Sequence, residues 1–298
     1  MLYNRFRIDK DMVYSIDYLQ IDFGLGLLSD DVLSLLFGSF DFEKIRHFGV
    51  LDCNSGVKHL AKYDLHWWQF GGFHVEVWPC SDSSKLVYWF LRAKFNPNKT
   101  SDNPALKNVF RFLFRCGWVN GWHFSRVDYA VDVQGPLSAF YVLSRKTETN
   151  YGSTRYYGVR GTSGYLRVYD KRQEQIDKAG KDIGFEWTRF EWEQRGNRDL
   201  DFTFDQFSRM DLSGLDGATR VLKYVSPELI NQAINEFSPN YRMKLKKQLF
   251  SSVTVKKELF RELLDEYINE YSLVGLRAFT DAQLFEMYKD VPLSFNFL

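Results

Sequence analysis

Alternating polar and apolar residues predict a β-strand over residues 165–171, near the middle of the chain. Successive side chains of a strand point to opposite faces, so one face of this segment carries two phenols and two cations. These are Tyr165, Arg167, Tyr169 and Lys171. A phenol beside cations is a candidate nucleophile, because nearby positive charge favours the phenolate. Taken alone, the stretch favours a buried aromatic in an ordinary hairpin.

Glycines and a capping residue delimit this strand. Residues 161–164 contain two glycines and suit a hairpin loop, and residues 156–160 are predicted as the partner strand. Asp170 can cap a polar helix over residues 171–179, which Gly180 would end. The candidate nucleophile therefore lies where a strand gives way to a helix.

Two more predicted strands carry paired carboxylates on one face. The first, residues 126–133, presents Arg126, Asp128 and Asp132. The second, residues 189–195, presents Arg189, Glu191, Glu193 and Arg195. Acidic residues are poor strand formers, so their charge should be compensated. A hard divalent cation such as Mg²⁺ or Mn²⁺ would compensate it, and so would ion pairs with the interleaved arginines on a solvated face.

Four short motifs follow one another in this central region. They read R-V-D-Y-A-V-D at 126–132, Y-Y-G-V-R at 156–160, L-R-V-Y-D-K-R-Q-E at 166–174 and R-F-E-W-E at 189–193. In this order they resemble the Rep_trans, or replication initiation factor, family. Members of that family start rolling-circle replication of plasmids and filamentous phages, or act as relaxases of integrative elements.

The resemblance implies a DNA-nicking site with assigned roles. Tyr169 would be the nucleophile, and Asp128, Glu191 and Glu193 would hold Mg²⁺ or Mn²⁺. The cations that would assist Tyr169 are Arg167, Lys171 and Arg189. The product would be a 5′-phosphotyrosine and a 3′-OH, and the strand would be rejoined by reversal. The roles of Asp132 and Asp170 stay open.

Charge does not mark the whole chain as a nucleic-acid binder, since its net charge is only +1. DNA affinity must therefore come from local groups. The clearest basic run comprises Arg242, Lys244, Lys246, Lys247, Lys256 and Lys257. It is either a solvated helix face or a set of phosphate contacts. Arg126 and Arg160 are further candidates for DNA binding. Aromatic residues that suit stacking on unpaired bases are Trp67, Trp68 and Tyr157.

Cysteine and histidine spacing excludes some metal chemistry. The three cysteines show no C-x-x-C pair, so neither a zinc site nor a disulfide framework is indicated. His66 and His74 are too far apart for a His-hydrophobic-His metal motif. No apolar run approaches the roughly 18 residues of a membrane span, and no signal pattern opens the chain. We therefore expect a cytoplasmic protein that does not bind membranes.

The order of predicted elements indicates an α+β fold. We expect a mostly antiparallel central sheet, made from two related halves and covered by helices, with a helical C-terminal segment. The predicted division is a catalytic nickase domain at 1–225 and a helical region at 226–298. Strands are predicted at 16–23, 65–78 (as a hairpin) and 85–95. Helices are predicted at 32–37, from Pro104, at 137–145, from Ser226 and at 280–289.

The predicted function is sequence-specific, metal-dependent nicking and rejoining at a plasmid or phage replication origin. The alternatives are a relaxase of an integrative conjugative element, a plain metal-dependent nuclease and a non-catalytic origin-binding protein. The expected partners are origin DNA, single-stranded or extruded as a hairpin, a host helicase and a second copy of the chain in a homodimer.

Overall fold

The computed structural model of the protein describes residues 5–26, 53–59, 64–70, 73–81, 87–100, 121–195 and 203–270. The chain divides into two compact units. The first unit comprises Met1–Ser15, Asp128–Arg195 and Asp199–Arg261. The second comprises Ile16–Val127, Gly196–Arg198 and Glu262–Leu298. The domain boundary predicted near residue 226 stays a prediction.

The described strands are β1 (Phe6–Asp9), β2 (Met12–Gly26), β3 (Cys53–His59), β4 (Asp64–Phe70), β5 (Phe73–Ser81), β6 (Val87–Phe95), β7 (Gly121–Gln134), β8 (Phe140–Leu143), β9 (Glu148–Tyr151), β10 (Thr154–Tyr157), β11 (Tyr165–Asp170), β12 (Trp187–Arg195), β13 (Gln206–Met210) and β14 (Phe250–Val253). The described α-helices are α1 (Pro97–Thr100), α2 (Lys171–Ala179), α3 (Pro227–Asn235), α4 (Pro239–Leu249) and α5 (Lys257–Glu270). Short 3-10 helices cover Leu137–Ala139 and Gly217–Tyr224.

The second unit contains an antiparallel sheet in the order β3-β4-β5-β6-β2. Successive side chains of its strands point to opposite faces of the sheet, and one face buries apolar side chains in the core. Buried residues of this face include Leu19, Ile21, Val75, Val77 and Leu91. The strands predicted at 16–23, 65–78 and 85–95 are confirmed.

The first unit holds the strands that carry the candidate site, in the order β7-β12-β11-β10-β9, where β7 belongs to this unit from Asp128 onward. A separate three-stranded sheet runs β14-β13-β8. Aromatic side chains fill the core of the first unit. The rings of Phe190 and Phe207 stack with centroids 3.8 Å apart, and the rings of Phe140 and Phe190 meet edge-on with centroids 5.6 Å apart. Such contacts fix the strands because large rings bury much apolar area.

Local signals place the helix that follows the candidate nucleophile. The Asp170 side chain accepts a hydrogen bond from the Gln173 backbone N–H at 3.0 Å, which caps α2. Gly180 ends the helix with φ 61°, a left-handed conformation that costs glycine little. Farther along, Ser226 caps α3 as predicted.

The helix predicted over residues 137–145 is wrong. After the 3-10 turn at Leu137–Ala139 the chain continues as strand β8, which pairs with β13. Phe140 and Val142 are buried and Leu143 is exposed, a period of two that a strand satisfies. An apolar run this short fits both a helical and a strand periodicity, and pairing with β13 selects the strand.

The α+β class and the antiparallel strand arrangement are confirmed. The predicted helices at 32–37, from Pro104 and at 280–289 lie outside the described residues. None of the described helices combines the length and the apolar character needed to cross a membrane.

Candidate active site

Strands β11 and β12 align the predicted site residues in facing pairs. Arg167 lies opposite Glu191, and Tyr169 lies opposite Arg189. Facing residues of an antiparallel pair project from the same side of the sheet, so their side chains meet. Phe190, between them in β12, is fully buried on the other side. The predicted polar and apolar faces of these strands are therefore confirmed.

Glu191 joins the nucleophile candidate to a cation. The Tyr169 hydroxyl donates a hydrogen bond to Glu191 Oε2 at 3.3 Å, and Arg167 Nη2 donates to Glu191 Oε1. Glu191 is only 5% exposed, which strengthens both interactions because little water competes with them. Each oxygen of this carboxylate thus has its own donor.

Arg167 is the positive centre of the site. Burial lowers the pKa of its guanidinium, but Glu191 and Asp128 outweigh that effect and hold the pKa above its ordinary value. Asp128 lies on β7, the strand next to β12, and is 2% exposed. Two buried carboxylates therefore act on the same guanidinium.

Asp132 and Arg189 form a separate ion pair. Arg189 Nε and Nη2 donate to the two oxygens of Asp132 at 2.5 Å each. A bidentate pair of this kind fixes both side chains. Arg189 was predicted to assist Tyr169, and the structure pairs its guanidinium with a carboxylate. The Asp132 carboxylate holds this arginine, and whether Asp132 takes part in the site stays open.

Glu193 lies one facing pair farther along the strands, opposite Tyr165. Arg195 Nε donates to Glu193 Oε1. The Tyr165 ring stacks on Tyr156 with centroids 6.1 Å apart, and burial raises the pKa of the Tyr165 phenol. Glu193 therefore belongs to the Tyr165 pair rather than to the Tyr169 pair.

Helix α2 positions Lys171 beside the nucleophile candidate. Lys171 Nζ lies 5.8 Å from the centroid of the Tyr169 ring and donates to Glu174. Burial raises the pKa of Glu174, but the hydrogen bonds from Lys171 and Lys178 prevail and lower it to about 2. Glu174 belongs to one of the sequence motifs but was given no role there, although its spacing of three and four residues from these lysines is the helical signal for such pairs.

Asp128 and Glu191 fit a divalent cation by their chemistry. Mg²⁺ binds carboxylate oxygens and commonly uses one or two protein carboxylates, completing its shell with water and substrate phosphate. Both side chains are buried, and both already stabilise the charge of Arg167. Across the described ranges, no three His, Cys, Asp or Glu side chains are grouped as a metal site. An ion here would use two carboxylates and share them with Arg167.

The predicted DNA-binding residues differ in their position and in their exposure to solvent. Arg126 lies in the second unit, where its Cζ is 4.5 Å from the centroid of the Tyr18 ring. Arg160 is exposed within the β10–β11 loop. In α4, Lys244 and Lys247 are exposed, whereas Arg242 and Lys246 are half-buried. Lys256 instead forms an ion pair with Asp9 at 2.8 Å.

Two of the three aromatic residues predicted to stack on bases can be placed. Tyr157 is only 4% exposed, so its selection was wrong: the ring is packed inside the unit, and burial raises the pKa of its phenol. Trp67 is half-buried and stacks on His74 with centroids 5.7 Å apart. The side chain of Trp68 lies outside the described residues.

The curated proteins that resemble this chain are named replication initiation proteins. Replication initiation proteins of Staphylococcus aureus are 32% identical over 104 residues, covering 31% of this chain and 31% of the relative, and 32% identical over 100 residues, covering 30% of each. The chain thus spans about a third of the length of the curated relatives it matches. No family model matches the chain.

One solved structure is also similar. It is a rolling circle replication initiator protein from Geobacillus stearothermophilus, with a TM-score of 0.32 and 14% sequence identity. The alignment covers 90% of this chain and 100% of that one.

Proposed function

We propose that this protein initiates DNA replication by nicking one strand of an origin, with Tyr169 as the nucleophile. The observation that carries the proposal is the hydrogen bond from the Tyr169 hydroxyl to Glu191, whose other oxygen binds Arg167. It is supported by the replication initiation proteins that part of this chain resembles. The proposed target is a plasmid or phage replication origin. A transfer origin would be nicked by the same chemistry.

The reaction exchanges one phosphodiester for another. Tyr169 Oη attacks phosphorus, the Oη–P bond forms, and the bond from phosphorus to the 3′ oxygen breaks. The phenolic proton passes to Glu191, which already accepts its hydrogen bond, and the departing 3′ oxygen takes up a proton from water to become a 3′-OH. The 5′-phosphotyrosine can then be attacked by a 3′-OH, which rejoins the strand.

Positive charge must assist Tyr169, because an unperturbed phenol has a pKa near 10. Arg167 and Lys171 supply this charge near Tyr169 and would also stabilise the negative phosphate of a bound strand. Asp128 and Glu191 would hold an Mg²⁺ or Mn²⁺ ion, with Glu193 nearby. Such an ion would neutralise charge that develops on the phosphate oxygens.

The substrate of this proposal is a single strand or an extruded hairpin, since the scissile phosphate must reach a site on the face of a sheet. Electrostatic attraction to the DNA backbone comes from exposed or half-buried cations: Arg126, Arg160, Arg242, Lys244, Lys246 and Lys247. A host helicase would open the duplex and a polymerase would extend the 3′-OH. We further propose that the protein acts as a homodimer.

A second function has one observation in its favour. Arg167, Arg189 and Arg195 already pair with acids of the same sheet face. These ion pairs alone can account for the charged residues on this sheet face, without a bound metal ion or a catalytic role. In that case the protein would bind an origin without cutting it.

The decisive experiment is a search for a covalent adduct. Labelled single-stranded oligonucleotides that tile the DNA encoding the protein are incubated with it and Mn²⁺, then separated under denaturing conditions. A labelled protein band that is lost in Tyr169→Phe supports the proposal. Tyr165→Phe is the matched control, because Tyr165 lies on the same strand and face but is 7% exposed. Cleavage without an adduct indicates a hydrolytic nuclease, and binding without cleavage indicates the second function.

A further inference from the structure

The basic residues of helix α4 do not form one uniform charged face. Arg242 and Lys246, four residues apart, project from the same side of the helix and are half-buried. Lys244 and Lys247 are exposed on the rest of its surface. Long cations are normally solvated, so the burial of only one pair calls for a separate explanation.

Lys246 lies on an aromatic ring within a positive environment. Its Nζ is 3.7 Å from the centroid of the Tyr141 ring, a cation–π contact. Burial lowers the pKa of Lys246, and the charges of Arg242 and Arg155 lower it further. The geometry makes these three cations neighbours: Lys246 covers Tyr141, Arg155 donates to the carbonyl of the adjacent Phe140, and Arg242 precedes Lys246 by about one helical turn.

Arg155 is held in place by neutral groups. Its Nη1 donates to the carbonyl of Phe140 at 3.0 Å and its Nη2 to the carbonyl of Leu137 at 3.3 Å. Carbonyl oxygens orient a guanidinium but do not neutralise it. In the part of the chain that the structure describes, Arg242 Nε is buried and has no hydrogen-bond partner. A buried donor without a partner costs stability.

One carboxylate opposes this charge. Glu148 raises the pKa of Lys246, and the same carboxylate interacts with the Tyr157 hydroxyl. Among the described residues, the charges that act on Lys246 are thus two cations and one acid. Like charges that gather at a partly buried site repel one another. An anion that enters the cluster would relieve the repulsion and could accept hydrogen bonds from several donors at once.

We propose that Arg155, Arg242 and Lys246 form a phosphate-binding site that holds a backbone phosphate of DNA apart from the nicking residues. The inference rests on the proposed function, because that function makes DNA the source of the phosphate. It adds Arg155, which the linear basic run does not contain. It also assigns phosphate binding to the half-buried pair of α4 and not to the exposed pair.

The test compares two double variants that remove the same charge from the same helix. Each is made in the Tyr169→Phe background, so that DNA is bound but not cut, and binding of a labelled single-stranded oligonucleotide is followed between about 50 and 200 mM salt. Arg242→Gln/Lys246→Gln should weaken binding about tenfold and reduce the salt slope by roughly 0.7 for the lost phosphate contact. Lys244→Gln/Lys247→Gln should weaken it less than about threefold.

Charge-retaining exchanges separate binding from packing. Arg242→Lys/Lys246→Arg should bind within about threefold of the parent. Lys246→Met keeps the apolar part of the side chain over Tyr141 and should still weaken DNA binding. This variant tests the loss of charge if the double glutamine variant does not fold. Unfolding temperatures of all variants are measured alongside. Loss of binding in the charge-retaining variant would overturn the proposal.

The outcomes distinguish this inference from the proposed function. Equal losses in the two glutamine double variants would show a general surface-charge effect and would overturn the phosphate site alone. If the protein with Tyr169 intact binds DNA but never forms an adduct, nicking is overturned, while the two double variants still decide the phosphate site. A parent that binds no DNA would overturn both.

Discussion

The Tyr169 hydroxyl donates a hydrogen bond to Glu191 across two adjacent strands, and the same carboxylate binds Arg167 through its other oxygen. The arrangement gives the phenol a proton acceptor and keeps a cation within reach of the phenolate that would form. Because Glu191 is almost fully buried, it holds this geometry against competition from water.

Glu191→Gln should greatly reduce adduct formation. The amide keeps the shape of the side chain but accepts a proton poorly, so the rate should fall by roughly 10²-fold or more. Arg167 also loses its charged partner, which should cost about 2 kcal/mol of unfolding free energy. Rates from quenched gels and chemical denaturation measure the two effects. Asp182→Asn, in an exposed ion pair with Arg172, serves as the control and should change neither.

Arg167→Gln should change the binding of Mn²⁺ in the opposite direction to Asp128→Asn. A guanidinium that attracts two carboxylates competes with a divalent ion for them, so its removal should raise Mn²⁺ affinity. Asp128→Asn removes a ligand and should lower that affinity by roughly tenfold or more. Calorimetric titration without DNA measures both. Lower Mn²⁺ affinity in Arg167→Gln would show that the arginine organises the carboxylates instead of competing for them.

Glu174 should make stability depend on pH in the acid range. Its pKa falls from an ordinary value of 4.5 to about 2 in the folded protein. A lowered carboxyl pKa contributes stability above the ordinary value, and that contribution is lost as pH falls towards 2. Glu174→Gln should therefore cost about 1–2 kcal/mol near neutral pH, allowing for the solvent around Lys178. Denaturation from about pH 7 to 3 should show the two proteins converging.

Asp170 should matter for the helix and not for metal binding. Its side chain caps α2, so Asp170→Ala should lower unfolding free energy by about 1 kcal/mol. Asparagine is an equally good cap, and Asp170→Asn should restore stability. Mn²⁺ titration of Asp170→Asn should match that of the unaltered protein. A clear loss of Mn²⁺ affinity would place Asp170 among the ligands.

The sequence determined the features that depend on neighbouring residues. Period-two alternation set the polar and apolar faces of β11 and β12, and Asp170 with Gly180 set the bounds of α2. These signals are local because side-chain direction and capping depend on residues a few positions apart. Where a local signal was ambiguous, as at residues 137–145, the prediction failed because a distant partner strand decided the outcome.

Tertiary structure alone decided which charges meet. Alternation places several acids and arginines on one face but does not fix the register between strands, so the pairing of Glu191 with Arg167 and of Asp132 with Arg189 was not readable. Packing buried Tyr157, which the sequence suggested for base stacking. The neighbourhood of Arg155 and Lys246 likewise joins residues far apart in the chain. Such contacts are set by how elements pack against one another, which no short stretch of sequence contains.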